Sequence, residues 1–416
     1  MPAAAVPLEG LQPVILGGDI GAYSVARAFH EAYGVRSIVV STVATGVVRH
    51  SRVVTNVVEP GIDEPATAVA RLRAVAATRP GRRLILLGSA DWLVRTIVEN
   101  REALEDLYVI PYTDRARLDL VTDKENFGRL CTELGLGHPE TVVHDVGAGG
   151  VPDTSRLRFP VIAKTGDTAA YHLVDFPGKQ KVFTVATPVE LAELLERMRT
   201  AGYSGTFIIQ DLIPGDDSGM RILTCYCDSD ARMRFASFGH VLLEEHTPGA
   251  LGNPAGIITQ GDEEIVEQAR RLLEHIGWTG YANFDLKFDP RDGRTVFFEL
   301  NPRLGRSNFY ITAAGRNTVE LYVREHLQGL DPLPDGEPAQ LTTEHLYTVL
   351  PRALLLRYLA DPTLRRRARG LFSRRRATNP LWYRAERDPR RLAYLVVAQL
   401  NQFRKYRRHY PPPRGQ

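Results

Sequence analysis

Tyr281-Ala282-Asn283-Phe284-Asp285-Leu286-Lys287-Phe288-Asp289, a turn at Pro290–Arg294, and Thr295-Val296-Phe297-Phe298-Glu299-Leu300-Asn301-Pro302-Arg303 read as the two strands of one hairpin. Side chains alternate faces along a strand. Ala282, Phe284, Leu286 and Phe288 therefore form an apolar face, and Asn283, Asp285, Lys287 and Asp289 form the other. On the return strand Glu299 and Asn301 share a face opposite Phe298 and Leu300. With both apolar faces in one core, this register sets Asp285 opposite Glu299. Carboxylates facing each other across strands repel. A divalent cation removes that repulsion, and two carboxylates plus an amide oxygen are hard ligands that suit Mg²⁺ with bound phosphates. The competing reading is a solvated polar face on an edge hairpin.

Two upstream stretches bear on the same question. In Ile208-Ile209-Gln210-Asp211-Leu212-Ile213-Pro214-Gly215-Asp216-Asp217 an apolar strand runs into a Pro-Gly turn flanked by acids. Such a segment offers backbone amides to a flat base and a carboxylate to ribose hydroxyls, or it is simply a strand and a turn. Phe159-Pro160-Val161-Ile162-Ala163-Lys164 ends an apolar strand on a cation, which needs a partner or water. The chain holds 52 Lys+Arg but only six Lys: Lys124, Lys164, Lys179, Lys181, Lys287 and Lys405. Lys is a compact point charge, unlike Arg. Lys164 suits a nucleotide phosphate, and Thr165–Gly178 is a loop able to fold over phosphates. Lys124 opens a helix and reads equally as a phosphate ligand or a solvated side chain.

The first 118 or so residues alternate short apolar runs (Val14–Gly17, Ser37–Ser41, Arg83–Gly88) with helical segments (Ala22–Tyr33, Ala66–Ala77, Ala90–Asn100). That alternation predicts a parallel sheet with helices on its faces. Gly17-Gly18-Asp19-Ile20-Gly21 reads as a tight turn needing glycine, with anion binding as the competing reading; its spacing is not the dinucleotide fingerprint. From about Leu118 the pattern becomes α+β. Helices are expected at Lys124–Gly135, Pro188–Ala201 and Asp262–Ile276. Strands are expected at Phe159–Lys164, Lys181–Val185, Thr206–Ile213, Met220–Asp228 and Met233–Glu245. Asp331–Gly336 reads as a linker to Arg-rich helical segments. The expected domains are 1–118, 119–330 (subdomains about 119–205 and 206–330) and 331–416.

The composition is 44% hydrophobic and 24% charged over 416 residues, which excludes a disordered or low-complexity chain. Three cysteines cannot build a disulfide framework. Cys225 and Cys227 lack a second Cys/His pair at zinc spacing and read as strand packing. No apolar run is long enough to span a membrane, and the N-terminus lacks the pattern of a signal peptide, so a cytoplasmic protein is expected. The net charge of +3 conceals an asymmetry. Residues 350–416 hold 18 Lys+Arg against 3 Asp+Glu, leaving 34 against 46 elsewhere. In Asp388–Tyr410, Leu392, Leu395, Val396, Leu400 and Phe403 fall near one helical face, and Arg390, Arg391, Arg404, Arg407 and Arg408 ring the rest. This helix reads either as lying on an anionic membrane surface or as packed on the acidic body; nucleic acid is the weaker partner, since no recognition motif accompanies the charge.

The order of these motifs resembles the ATP-grasp superfamily: a lysine before a helix, a lysine ending a strand, Gln-acid-x-Ile-Pro-Gly-x-acid, then acid…Glu-x-Asn-Pro-Arg. More narrowly, Gly215–Met220, His246-Thr247-Pro248 and Asn301-Pro302-Arg303-Leu304-Gly305-Arg306-Ser307 resemble the D-aspartate ligase group of carboxylate–amine ligases, which use peptidoglycan precursors as acceptors. The resemblance implies a Rossmann-like parallel α/β domain, a two-subdomain ATP-grasp fold, and a basic helical C-terminal extension. It implies ATP and two Mg²⁺, or Mn²⁺ in their place, with an amino-acid carboxylate as donor and an amine as acceptor. Lys124 and Lys164 would hold the α- and β-phosphates, with Lys181 and Gln210 as further nucleotide contacts. Asp211 and the Leu212–Ile213 backbone would take the adenine, and Asp217 the ribose; Asp stands at 211 and 217 where the superfamily often has Glu. Asp285, Glu299 and Asn301 would bind metal. Arg303 would face the transferring phosphoryl group or the tetrahedral intermediate, and Lys287 is the second catalytic candidate. Competing functions are an amino-acid or dipeptide ligase of a natural-product pathway, an ATP-grasp enzyme that carboxylates or phosphorylates, and a non-catalytic adaptor at the inner membrane face.

Overall fold

The computed structural model describes residues 8–166, 171, 174–180, 182–334, 336–337 and 339–411. The chain forms two compact units: residues 1–122, 220–285 and 300–416 in the first, and 123–219 with 286–299 in the second.

The first unit begins with β1 (Leu11–Leu16), β2 (Ser37–Ser41), β3 (Val54–Val58) and β4 (Arg83–Gly88). They form a wholly parallel sheet in the order β3-β2-β1-β4. Val14–Leu16, Ile38–Val40 and Leu84–Leu87 are buried, as expected of strands covered by helices on both faces. The helix Ile20–Tyr33 starts at Asp19, whose Oδ1 accepts from the N–H of Ala22 at 2.9 Å. Gly17 has φ +111, and a Cβ there would meet Ser89 Oγ at 2.0 Å, so a tight turn accounts for this glycine.

The second unit carries β5 (Thr141–Asp145), β6 (Val161–Thr165), β7 (Val182–Val185) and β8 (Thr206–Asp211) as an antiparallel sheet in the order β5-β8-β6-β7. Val161, Ala163, Phe183, Phe207 and Ile209 pack with Leu191, Leu194 and Met198 of the helix Pro188–Thr200. The helix Lys124–Glu133 is capped by Asp123 and stops before Gly135, which sits at φ +66.

The first unit resumes with β9 (Met220–Cys227), β10 (Met233–Glu244) and β11 (Pro254–Gln260), paired antiparallel. Cys225 and Cys227 are free and buried in β9, as strand packing requires. The hairpin strands β12 (Gly280–Asp289) and β13 (Arg294–Asn301) follow β9 in the sheet order. Ala282, Phe284 and Leu286 are buried as read from the alternation, but the last pair is exchanged: Phe288 is exposed and Asp289 is buried. The Arg291 guanidinium grips Asp289 at 2.7 Å and holds its carboxyl below the usual carboxylate range, which turns that side chain inward.

The segment after residue 331 contributes strands as well as helices. β14 (Gln340–Leu341) pairs with β10, β15 (Leu346–Thr348) with β11, and β16 (Ala377–Thr378) with β15. The helix Pro362–Ser373 starts on the Asp361 cap and proline. The C-terminal helix Pro389–His409 is packed on its own unit. Of the five apolar residues assigned to its face, Leu395 alone is buried. Arg391, expected among its solvated arginines, is also buried. It lies 3.6 Å from the Glu386 carboxylate and 4.4 Å above the Tyr23 ring, and it donates to the Val47 carbonyl. Glu386 also accepts from the Tyr23 hydroxyl (3.1 Å), the Ser51 hydroxyl and the Arg52 N–H (2.7 Å). A buried arginine requires such a partner. Among the described residues no helix is long and apolar enough to cross a membrane.

Candidate active site

In the second unit the strand end of β6 places Lys164 beside Lys124, the first residue of its helix. Burial, then the like charge of Lys124 and a hydrogen bond with it, pull Lys164 down to about 8, while Glu299 of β13 acts in the opposite sense. Half-buried Lys164 held against the exposed Lys124 forms a cationic site matched to an anion. Lys181 lies outside the described residues, as do 167–170, 172 and 173 of the loop read as a phosphate cover. Lys179 turns back on the Val174 carbonyl and the Tyr171 ring.

At the end of β8, Gln210 donates to Thr141 Oγ1 at 2.9 Å. Asp211 is buried, and both its oxygens are taken by Arg158: Oδ1 by the N–H at 2.7 Å and Oδ2 by Nε at 2.8 Å. The Asp211 carboxylate thus fixes the entry to β6, leaving the Leu212–Ile213 backbone as the chain passes into the Pro214-Gly215 turn. Asp217 opens a short 3-10 turn just beyond. Lys287 donates to the Gly215 carbonyl at 3.3 Å, which ties β12 to that turn.

In the first unit Asn301 Nδ2 donates to Asp285 Oδ2 at 3.2 Å and to the Asn283 carbonyl at 3.3 Å. Asn283 is itself buried and accepts from Thr224 Oγ1 at 2.8 Å. Gly305 passes so close that a Cβ would meet Asn283 Oδ1 at 2.8 Å, which allows the chain after Asn301 to turn back over the sheet. The carboxylate and amide placed side by side are hard-oxygen donors, the chemistry a Mg²⁺ site uses. Among the described residues no three His, Cys, Asp or Glu side chains gather as a metal site, so a cation held here would have to draw on an amide oxygen or on ligand phosphates as well.

Arg303 is held by Asp91, its Nη2 3.0 Å from Oδ2 and its Nε 2.9 Å from Oδ1. Two ion-pair contacts fix the plane of the guanidinium. Arg306 reaches Glu245 at 2.7 Å and Asp19 at 3.7 Å. Asp19 and Asp91 stand at the starts of helices Ile20–Tyr33 and Asp91–Glu99, where acidic residues are favoured. They flank a crevice of about 300 Å³ at the carboxyl ends of β1, β2 and β4, lined by Gly17, Asp19, Ser41, Ser89 and Trp92 among others. Sequence reasoning missed Asp91, Glu245 and Arg158, because each acts through a partner distant in the chain. His246, of the His246-Thr247-Pro248 motif, stacks on Tyr410 with ring centroids 3.7 Å apart.

No family model matches the chain. The D-aspartate ligase of Enterococcus faecium (strain Aus0004) is 30% identical over 411 residues, covering 96% of this chain and 97% of that protein. Two solved structures share the fold. The L-amino acid ligase of Bacillus licheniformis has a TM-score of 0.52 at 16% identity, covering 76% of this chain and 74% of that one. The biotin carboxylase domain of Hydrogenobacter thermophilus 2-oxoglutarate carboxylase, solved with MgADP, ADP and bicarbonate, has a TM-score of 0.56 at 13% identity, covering 82% and 74%. The full-length match, on a fold with a parallel α/β domain and a paired-lysine strand end, shows that the chain belongs to the D-aspartate ligase family of ATP-grasp enzymes, ATP-dependent ligases that form C–N bonds.

Proposed function

We propose that the enzyme activates the carboxylate of D-aspartate as an acylphosphate and joins it to an amine of a peptidoglycan precursor. The observation that carries the nucleotide half of this reading is the Lys124–Lys164 pair, whose mutual repulsion an ATP phosphate would relieve. The full-length likeness to a D-aspartate ligase supports the choice of donor.

In this reading Lys124, Lys164 and Lys181 hold phosphates. The Leu212–Ile213 backbone meets the adenine, Gln210 and Asp211 brace that strand end, and Asp217 takes the ribose. Asp285, Glu299 and Asn301 would hold Mg²⁺, as two ions or with Mn²⁺ in its place; bound there, such cations neutralise charge on the phosphoryl oxygens. The amino acid occupies the crevice beside Asp91. Its carboxylate oxygen attacks the γ-phosphorus, the bond to the β-phosphate oxygen breaks, and ADP leaves. The amine then attacks the acyl carbon, phosphate departs, and the ammonium proton passes to solvent. Arg303, held flat by Asp91, donates to the oxygen that becomes negative as the carbonyl turns tetrahedral. Lys287 positions the turn above the nucleotide through Gly215. Three buried, unbridged cysteines accord with a reducing compartment, and we assign the enzyme to the cytoplasm.

Phosphate release and hydroxamate formation with ATP, Mg²⁺ and hydroxylamine across D- and L-amino acids test this directly. D-Aspartate alone should give a strong hydroxamate signal. A different amino acid giving it would overturn the donor, and silence across the panel in protein that still binds ADP would overturn the acylphosphate.

A further inference from the structure

The C-terminal helix Pro389–His409 docks through one stripe and leaves a second, largely apolar stripe bare. Arg391, Leu395 and Tyr406 are its buried residues. Arg391 is fixed by Glu386 and the Val47 carbonyl, Gln399 donates to the Val349 carbonyl at 2.8 Å, and Tyr406 donates to the Glu244 carbonyl at 2.5 Å. These contacts determine the roll of the helix about its axis. At 100° per residue, Leu392, Val396, Leu400 and Phe403 then fall along a neighbouring strip, and all are exposed, Leu400 at 65% and Val396 at 48%. A helix docked by its most apolar side would have buried these residues first.

The strip is not isolated. Leu400 and Phe403 continue onto Leu354 and Tyr358 of the helix Arg352–Tyr358 in an open groove of about 780 Å³. Arg357, Arg404, Arg407 and Arg408 rim it. The helix Pro389–His409 itself has no acidic residue. The three acids of residues 350–416 are committed elsewhere: Asp361 and Asp388 cap helices, and Glu386 is buried against Arg391. The bare face is therefore apolar along its middle and purely cationic at its edges.

We propose that this face seats the protein on an anionic lipid bilayer, with Leu392, Val396, Leu400 and Phe403 entering the headgroup–acyl boundary and the arginines meeting lipid phosphates. An apolar strip flanked by basic side chains, on a helix lying flat, is the pattern of interfacial binding. A second copy docking symmetrically would bring the same arginines against each other. An acidic protein surface would satisfy the arginines but leave the aliphatic row against charge. The proposal concerns where the enzyme sits and stands independently of its donor and acceptor.

The experiment is sedimentation of the full chain with large vesicles of phosphatidylcholine alone or mixed with phosphatidylglycerol. Binding to the mixed vesicles should be at least about tenfold tighter than to phosphatidylcholine and should weaken as salt rises from about 50 to 300 mM. Leu400→Ser with Phe403→Ser should reduce it about tenfold, with the thermal unfolding curve and the ligase turnover in solution unchanged. Arg404→Gln with Arg407→Gln and Arg408→Gln should abolish the preference for phosphatidylglycerol. The proposal is overturned if the wild-type protein stays in the supernatant with anionic vesicles, or if the Leu400/Phe403 variant binds them like wild type. It is equally overturned if ultracentrifugation shows a wild-type dimer that this variant dissociates, since the face then belongs to a second copy.

Discussion

Binding of ADP should drive a proton onto the enzyme, and the size of that uptake follows from Lys164. Its pKa of about 8 lies below the ordinary lysine value of 10.5 because burial and Lys124 disfavour its charge. A diphosphate placed against it favours the charged form and returns the pKa toward the ordinary value. The uptake equals the fraction of Lys164 that is neutral before binding: about 0.1 proton at pH 7, 0.5 at pH 8 and 0.9 at pH 9. Isothermal titration with ADP in a chelator, run at each pH in two buffers of different ionisation enthalpy, reads this number and keeps metal out of the balance. Lys164→Met should flatten the profile to near zero while leaving a weakened binding heat. A wild-type uptake that does not rise with pH, or one that survives in Lys164→Met, refutes the placement of phosphate at this lysine. The stability consequence has a definite sign. A lysine with a depressed folded pKa leaves the unfolded chain binding more protons between about pH 8 and 10.5, so its penalty is fully present below pH 8 and is relieved as pH rises through that window. Lys164→Met should accordingly stabilise the ligand-free protein at pH 7, by about 1 kcal/mol after allowance for solvent screening.

Three further outcomes follow. Glu299→Gln should abolish turnover while ADP in a chelator still binds; retained turnover would refute the metal assignment. Asp91→Asn should lower kcat by up to about 100-fold with little change in the KM for ATP, because it loosens Arg303 rather than the nucleotide, and Asp91→Glu should recover part of the loss; a change confined to KM would place Arg303 elsewhere in the cycle. Glu386→Ala leaves Arg391 buried without its counter-charge and should cost about 3–5 kcal/mol in urea unfolding, whereas Glu386→Leu with Arg391→Met should recover most of it; equal losses in the two proteins would mean that the pair is not coupled.

The elements legible in the sequence were those whose signal is local. Val14–Leu16, Ile38–Val40 and Leu84–Leu87 are unbroken apolar runs because helices cover both sides of the parallel sheet, and they read as strands at once. β3, with the half-exposed pattern Val-Thr-Asn-Val-Val, and β5, with one face in water, carry no such run and were not read. β11 opens on a proline after Gly252-Asn253, which resembles a loop. The Asp285–Asn301 pair was legible because both belong to one hairpin, where alternation alone sets the face. That alternation failed at Phe288 and Asp289, where Arg291 captured the acid at the strand end. Asp91 gave no signal, since its partner Arg303 is 212 positions away. The C-terminal helix was read correctly as amphipathic and basic. Its buried side was not, because an ion pair with Glu386 rather than apolar content decides which stripe docks.

That ion pair bears on the order in which the chain can be completed. Glu386 and Arg391 close onto Tyr23, Val47 and Ser51, partners separated by 363, 344 and 335 positions for the hydrogen bonds of Glu386 with Tyr23, Arg391 with Val47 and Glu386 with Ser51. At roughly 5–20 residues per second, Tyr23, Val47 and Ser51 leave the ribosome roughly 20–70 s before the side chains that satisfy them. A nascent chain cut short before Glu386 keeps the Tyr23 and Ser51 hydroxyls without their acceptor and the Tyr23 ring without its Arg391 cover. The Glu386–Arg391 segment therefore acts as a check on the folding of the first unit, and products that stop short of it should be cleared by proteolysis even though every residue of the second unit is already present in them.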